Sequence, residues 1–297
     1  MSSSFSVSMI GLGNLGMALA KQMVDQKHSV TVWNRSQGKA EEMRSAGAKV
    51  AATVPEAITA SDVVIICLLN YTASDEWFRT EDAAKALKGK TVIQITTGSP
   101  TEARDGAKWF TEQGAVYLDG CILDEPSGVG SETFTHGYSG PKAAFETCKP
   151  LLVSLGPNVI FLGEDPGLAA AFDCGILSMF FTSLLGFVHG AAICQQEGVP
   201  LDVYSETAIA SLQAVVIPMQ KSMGKYMAER NYPGDAAKLS IFQSATQRIS
   251  GLCEGNGVDK ALPSLVEALV KQAVADGHAD SDFSAIFEVL LKKVAKK

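Results

Sequence analysis

Ser6-Val7-Ser8-Met9-Ile10-Gly11-Leu12-Gly13-Asn14-Leu15-Gly16 decides how the first half of this chain folds. A short apolar strand runs straight into a G-x-G-x-x-G turn, and the residues beyond it have helical spacing. Gly11 permits the tight turn, Gly13 lets the backbone approach a pyrophosphate, and Gly16 allows close helix–strand packing. The helix that opens near Asn14 presents free N–H groups and the positive end of its dipole to phosphates. Leu12, Asn14 and Leu15 sit between the glycines and join them as candidate dinucleotide contacts.

Outward from this turn, strand-like runs at 5–10, 29–33, 62–68, 91–95, 116–118 and 159–161 alternate with helical stretches such as 16–26, 37–46 and 101–113. That alternation predicts an α/β N-terminal Rossmann domain, a doubly wound, mostly parallel sheet, over residues 1–165. After Gly163-Glu164-Asp165-Pro166-Gly167 the strand signals stop. Pro166 in the first turn, with Asp165 as N-cap, opens a helix over about 166–195, some ~40 Å long at 1.5 Å per residue. Gly198-Val199-Pro200 ends it. Shorter helices are expected at 201–213, 216–230, 233–253 and 258–276, with an Asp-capped one from 282. The second domain, 166–297, is therefore all-α, joined to the first by a long interdomain helix.

Composition narrows the function classes. The chain has 297 residues, 46% hydrophobic and 19% charged, enough apolar material for a sizeable core. A net charge of −7 gives nucleic acid and acidic membrane surfaces no electrostatic attraction. The six cysteines show no C-x-x-C spacing, and the four histidines form no zinc pattern, so no metal is expected and a reducing, cytoplasmic setting is. Met1-Ser2-Ser3-Ser4-Phe5 lacks the basic start of a signal peptide. From Leu168 to Cys194 the only ionisable groups besides cysteines are Asp173 and His189, a stretch long enough to span a bilayer. Asp173 would be costly in lipid and no Lys or Arg clusters flank the stretch, so a buried helix is expected and no membrane span.

The second strand ends Thr31-Val32-Trp33-Asn34-Arg35-Ser36, where an NAD site would place an acid on the ribose 2′-hydroxyl. Asn34, Arg35 and Ser36 stand there instead, with Lys39 one turn later. A guanidinium fork suits a 2′-phosphate, so NADPH is the expected cofactor. Leu68 and Leu69 at the end of the 62–68 strand, and Thr96 past the 91–95 strand, complete the expected cofactor contacts.

With these residues in hand, the chain resembles the β-hydroxyacid dehydrogenase superfamily and, within it, the imine reductase and reductive aminase branch. Four stretches carry the resemblance: Gly11 to Gly16; Val32-Trp33-Asn34-Arg35-Ser36; Asp119-Gly120-Cys121-Ile122 with Pro126, Gly130 and Tyr138-Ser139-Gly140; and Gly163 through Asp173 with Gly186 and His189-Gly190. The hydroxyacid dehydrogenases carry a catalytic lysine on the long helix, followed by two asparagines. The equivalent position here is Asp173, with Ile176 and Leu177 replacing the asparagines. A lysine suits an alcohol oxygen, whereas a carboxyl can hold an iminium or deliver a proton to nitrogen. Asp173 also lies among Ala, Phe, Leu, Ile and Met, which should desolvate it and raise its pKa.

The resemblance therefore implies reduction of a small-molecule imine, or of a ketone plus amine, by NADPH, with Asp173 catalytic. It implies a homodimer that exchanges helical domains, with the cleft built from both subunits. Fungal reductive aminases usually have Tyr two turns after the Asp; Phe181 stands here and removes a hydroxyl that would grip a carbonyl or free amine. Gln94 takes the part of an Asn that those enzymes tend to carry near the fifth strand. Gln243, among the helical residues Tyr204, Met219, Met223, Tyr226, Met227 and Phe242, is the polar group expected to meet substrate. Two alternatives stay open: a hydroxyacid-type or carbonyl dehydrogenase, and a non-catalytic NADPH-binding protein. His189 is read as a hydrogen-bonded structural residue.

Overall fold

Eight segments extend into one sheet. They are β1 (Ser6–Ile10), β2 (Ser29–Trp33), β3 (Lys49–Val50), β4 (Val63–Ile66), β5 (Thr91–Gln94), β6 (Val116–Ile122), β7 (Thr135–Ser139) and β8 (Asn158–Gly163). The computed structural model describes residues 4–292; Met1-Ser2-Ser3 and residues 293–297 of the expected second domain lie outside them. The strand order is β3-β2-β1-β4-β5-β6-β7-β8, and among the described residues the one antiparallel pairing is β6 with β7. The doubly wound, mostly parallel Rossmann sheet is as expected. β3 and β7 escaped the sequence reading, the first because it has only two residues, the second because Thr135-His136-Gly137 breaks any apolar run.

Helices cover both faces, as a mostly parallel sheet requires. They are α1 (Asn14–Asp25), α2 (Gln37–Ser45), α3 (Val54–Thr59), α4 (Tyr71–Phe78), α5 (Glu81–Ala86), α6 (Pro100–Glu112) and α7 (Lys142–Leu155). Their starts are written locally: Thr53, Asn70, Thr80 and Ser99 each cap a helix through the side chain, and Ser99 forms a full capping box with Glu102. Alternation along the strands sends Val7 and Met9 to a core with α1 and α7, and Ile10 to one that includes Ala57, Phe78 and Phe110. The order reverses between β1 and β4, so a crevice opens at the carboxyl ends of these two strands.

The long helix α8 runs from Gly167 to Gln196. Asp165 caps it as expected, Oδ1 accepting the Gly167 N–H at 2.9 Å, while Arg104 of α6 donates to both carboxylate oxygens. The buried Ser139 hydroxyl donates to the Pro166 carbonyl and accepts from the Ala169 N–H. These contacts explain why one compact unit spans residues 1–179 even though the strand signals end near 165.

The other unit spans 180–297. Beyond the rest of α8 it holds α9 (Leu201–Ser211), α10 (Ile217–Glu229), α11 (Leu239–Asn256), α12 (Ala261–Ala273) and α13 (Ile286–Lys292). A π turn, Leu212–Val216, joins α9 to α10 where two separate helices were expected. The helix expected from 233 starts only at Leu239, because Pro233-Gly234 breaks it and a Cβ on Gly234 would lie 2.1 Å from the Asp280 carbonyl. Asp282 caps the last segment as expected, accepting from the Ser284 N–H at 2.8 Å. Leu239, Val270, Ala273 and Ile286 form this unit's core.

One expectation is overturned within the chain. α8 was expected to be buried, yet beyond its first two turns it is not: Phe181 is 63% and Val188 62% exposed. It is long and apolar enough to cross a membrane by length and composition, and its apolar window is uncovered. The sequence pattern shows that such a helix needs covering on all sides, and says nothing about whether the same chain supplies the cover.

Candidate active site

The turn after β1 is shaped by exclusion. Gly11 has φ +102°, and a Cβ there would lie 2.2 Å from the Cys67 carbonyl oxygen. A Cβ on Gly16 would lie 2.2 Å from the Gly11 carbonyl oxygen, so α1 can start close to the strand only because both are glycines. At Gly13 a Cβ would meet nothing within 4 Å, and Gly13 caps α1 without any side-chain bond. The open side of Gly13 and the uncapped N–H groups beside it form a cradle that fits a pyrophosphate.

This cradle lines a cleft of about 550 Å³, together with Leu12, Asn14, Leu15, Asn34, Arg35, Ser36, Lys39, Leu68 and Leu69. Arg35 and Lys39 are exposed, and no carboxylate pairs with either among the described residues. One expected contact is placed elsewhere, and another lines the cleft with its amide already engaged. Gly16 stands behind the loop rather than on the cleft, and Asn34 is a strut: its Oδ1 accepts from the Leu12 N–H at 2.9 Å and its Nδ2 donates to the Ser36 carbonyl. Asn34 thus ties the β1–α1 turn to the β2–α2 turn. Sequence reasoning missed Trp33, Cys67, Glu76, Trp77 and Thr97, which also line the cleft. Trp33 and Trp77 pack as a tilted pair 4.7 Å apart, a long-range contact with no local signal.

A second, smaller cavity of about 40 Å³ adjoins the cleft and shares Leu15, Ile95 and Thr97 with it. Asp173 of α8 and Asp119 of β6 both line it, with Thr96, Gly98, Cys121 and Ala170. Thr96 therefore belongs to this cavity and not to the cleft wall. Asp173 is 7% exposed, and burial raises its pKa above the usual carboxylate range. Its carboxyl has no hydrogen-bond partner among the described residues, which leaves it available to a ligand.

Gln94 does not reach either space and cannot touch substrate as expected. It is fully buried, Nε2 donating to the Ser74 hydroxyl and Oε1 accepting from the Thr96 hydroxyl, which in turn accepts from the Leu68 N–H. Strand register points its side chain into the sheet's packing, where it braces the β4 exit loop. Phe181 and Gln243 lie in the 180–297 unit, on α8 and α11. His189 bonds the Asp259 carbonyl through Nε2 at 2.9 Å, the hydrogen-bonded structural placement expected of it.

Comparison with known proteins agrees with this layout. The model of the NAD binding domain of 6-phosphogluconate dehydrogenase matches residues 6–163, and the C-terminal domain of NADPH-dependent reductive aminase-like proteins matches 165–292. An NADPH-dependent reductive aminase of Aspergillus oryzae is 30% identical over 95% of this chain and 96% of its own length. Among solved structures, the imine reductase from Myxococcus stipitatus in complex with NADP+ has a TM-score of 0.90 and 31% identity, over 96% of this chain and 99% of that one. The reductive aminase from Aspergillus terreus in complex with NADPH and ethyl levulinate has a TM-score of 0.87 and 29% identity, over 97% and 100%. With an acid on the long helix beside a dinucleotide cradle, and with both halves matched, the chain belongs to the imine reductase and reductive aminase family.

Proposed function

We propose that this protein is an NADPH-dependent imine reductase, with residues 1–165 as the NADPH-binding domain and 166–297 as the dimerisation and substrate domain. The observation that carries the reading is the buried, unpartnered carboxyl of Asp173 in a cavity that shares walls with the dinucleotide cleft. NADPH, when bound, supplies the hydride. Gly11, Gly13 and the start of α1 hold its pyrophosphate, and Arg35, Ser36 and Lys39 take the 2′-phosphate. Leu12, Asn14, Leu15, Leu68 and Leu69 wall the cleft, and Asn34 and Thr96 hold its loops in place. Asp173 faces the reacting nitrogen, holding an iminium by its charge or passing a proton to an imine. A lysine at 173 would serve an alcohol oxygen instead. Phe181 and Gln243 are assigned to the imine, and the absent phenol at 181 favours a preformed imine over a ketone plus amine.

Oxidation of NADPH is expected with cyclic imines and to a smaller extent with ketone and amine mixtures. Reduction of NADP+ by 3-hydroxy acids, or tight NADPH binding with no turnover across a broad imine panel, would overturn this assignment.

The exposed apolar length of α8 supports a homodimer in which a second copy covers it, and six free thiols support the cytoplasm. Light scattering at micromolar concentration should give twice the chain mass in buffer without detergent. A monomer mass would contradict the dimer, and a requirement for detergent would favour a membrane as the cover.

A further inference from the structure

A helix start leaves its first four N–H groups without partners inside the helix. In α8 the first two go to Asp165, just before the helix: Oδ1 accepts from Gly167 and the backbone carbonyl from Leu168. The next two go to the sheet. The Ser139 hydroxyl of β7 accepts from Ala169 at 3.0 Å, and the Asp119 carboxyl of β6 accepts from Ala170. Ser139 also donates to the Pro166 carbonyl at 2.9 Å, the ordinary i−4 acceptor for Ala170. Asp119 and Ser139 are direct partners across the antiparallel β6–β7 pair, so their side chains leave the same face of the sheet. Together they grip both ends of the first rung of the helix. Both are buried, and Tyr71 and Tyr117 donate to Oδ1 of Asp119 and hold it in turn.

We propose that Ser139 is a positioning residue for Asp173: with its cross-strand partner Asp119 it clips the first turn of α8 to the sheet, and so sets where the Asp173 carboxyl stands in the cavity beside the dinucleotide cleft. The proposal rests on the catalytic reading of Asp173. Ala169 and Asp173 are neighbours on one helix face, being four residues apart. That face is the buried one, with Ala169 0% and Asp173 7% exposed. The clip therefore lies one turn behind the carboxyl, on its own side of the helix. The Asp173 carboxyl has no hydrogen bond of its own among the described residues, so the helix backbone sets its place. Asp165 alone could not set it. That residue is exposed, as is its partner Arg104, and it caps from the segment that leads into the helix. Ser139 is different, because the pairings with β6 and β8 fix it on both sides. It refers the helix to the same strand that lines the cavity through Asp119, Gly120 and Cys121. A reacting group must be held to a fraction of an ångström, and a misplacement of about 1 Å can cost about a hundredfold in rate.

The test is Ser139→Ala, which removes both bonds of the clip, read by single-turnover hydride transfer from NADPH to 1-pyrroline or a larger cyclic imine. The rate should fall by about ten- to a hundredfold, as for a reacting group displaced by up to about 1 Å. NADPH Kd should stay unchanged, because Ser139 lies outside the dinucleotide cleft. A double-mutant cycle separates positioning from a merely structural loss. In an Asp173→Asn background Ser139→Ala should slow the step by less than about threefold, because the group it positions is already gone. Ser139→Cys keeps a side chain of similar size with weaker hydrogen bonds, and goes through the same cycle if Ser139→Ala fails to fold. Equal losses in both backgrounds would overturn the role of Ser139 alone. So would a Ser139→Ala enzyme as fast as the wild type beside a slow Asp173→Asn one. An Asp173→Asn enzyme as fast as the wild type would instead remove the catalytic reading, and this proposal with it.

Discussion

Asp173→Ala is expected to lower kcat on the best imine by at least about 100-fold, the lower end of general acid–base contributions. NADPH affinity should change less than about threefold, because nothing in the Gly11–Gly16 cradle depends on this side chain. The contrast matters more than the size of the loss. A structural acid would reveal itself as lost stability, yet the Asp173 carboxyl makes no hydrogen bond whose loss could destabilise the fold among the described residues. Removing a buried carboxyl whose pKa is already raised by desolvation should instead leave the melting temperature unchanged or increase it. Asp173→Asn keeps size and hydrogen bonding without ionising and should also be slow. A fast Asp173→Ala enzyme would mean that substrate or water supplies the proton.

Arg35→Ala should raise the Kd for NADPH by roughly ten- to a hundredfold, as expected for one lost charge-assisted bond to phosphate, and leave NADH nearly unchanged. The wild-type preference for NADPH in kcat/KM should be at least about tenfold on the same grounds. The geometry concentrates this effect on Arg35. The Asn34 amide is committed to the Leu12 N–H and the Ser36 carbonyl, so of the residues at the β2 exit only Arg35 and Ser36, with Lys39, have side chains to offer. Asn34→Ala should weaken both cofactors together, since it loosens the turn that holds the pyrophosphate. Equal losses for NADPH and NADH in Arg35→Ala would remove the 2′-phosphate assignment.

The parts of the site that were legible in the sequence are those whose physics is local. A positive φ at Gly11, the missing Cβ at Gly16 and the free helix start at Gly13 all act within six residues, so the motif could be read as a shape. Side-chain caps at Thr53, Asn70, Thr80 and Ser99 are local in the same sense, and Asp173 stood out as one acid in an apolar helical run. Gln94 was misread for the complementary reason. Its position near a strand end was visible, but its direction is set by register with β4 and by Ser74, 20 residues away.

The sequence alone determined that a dinucleotide cradle precedes an all-helical half, that the ribose end carries cations instead of an acid, and that an acid occupies the long helix. Those follow from dihedral freedom, periodicity and residue chemistry, none of which needs a distant partner. Tertiary structure alone decided which of the polar residues are free to act. It turned Asn34 and Gln94 into braces, and brought Tyr71 across 48 residues to Asp119, which it placed in one cavity with Asp173. Hydrogen-bond commitment and the shared cavity of two carboxyls depend on distances of a few ångströms between segments remote in the chain, and only the folded sheet sets those distances.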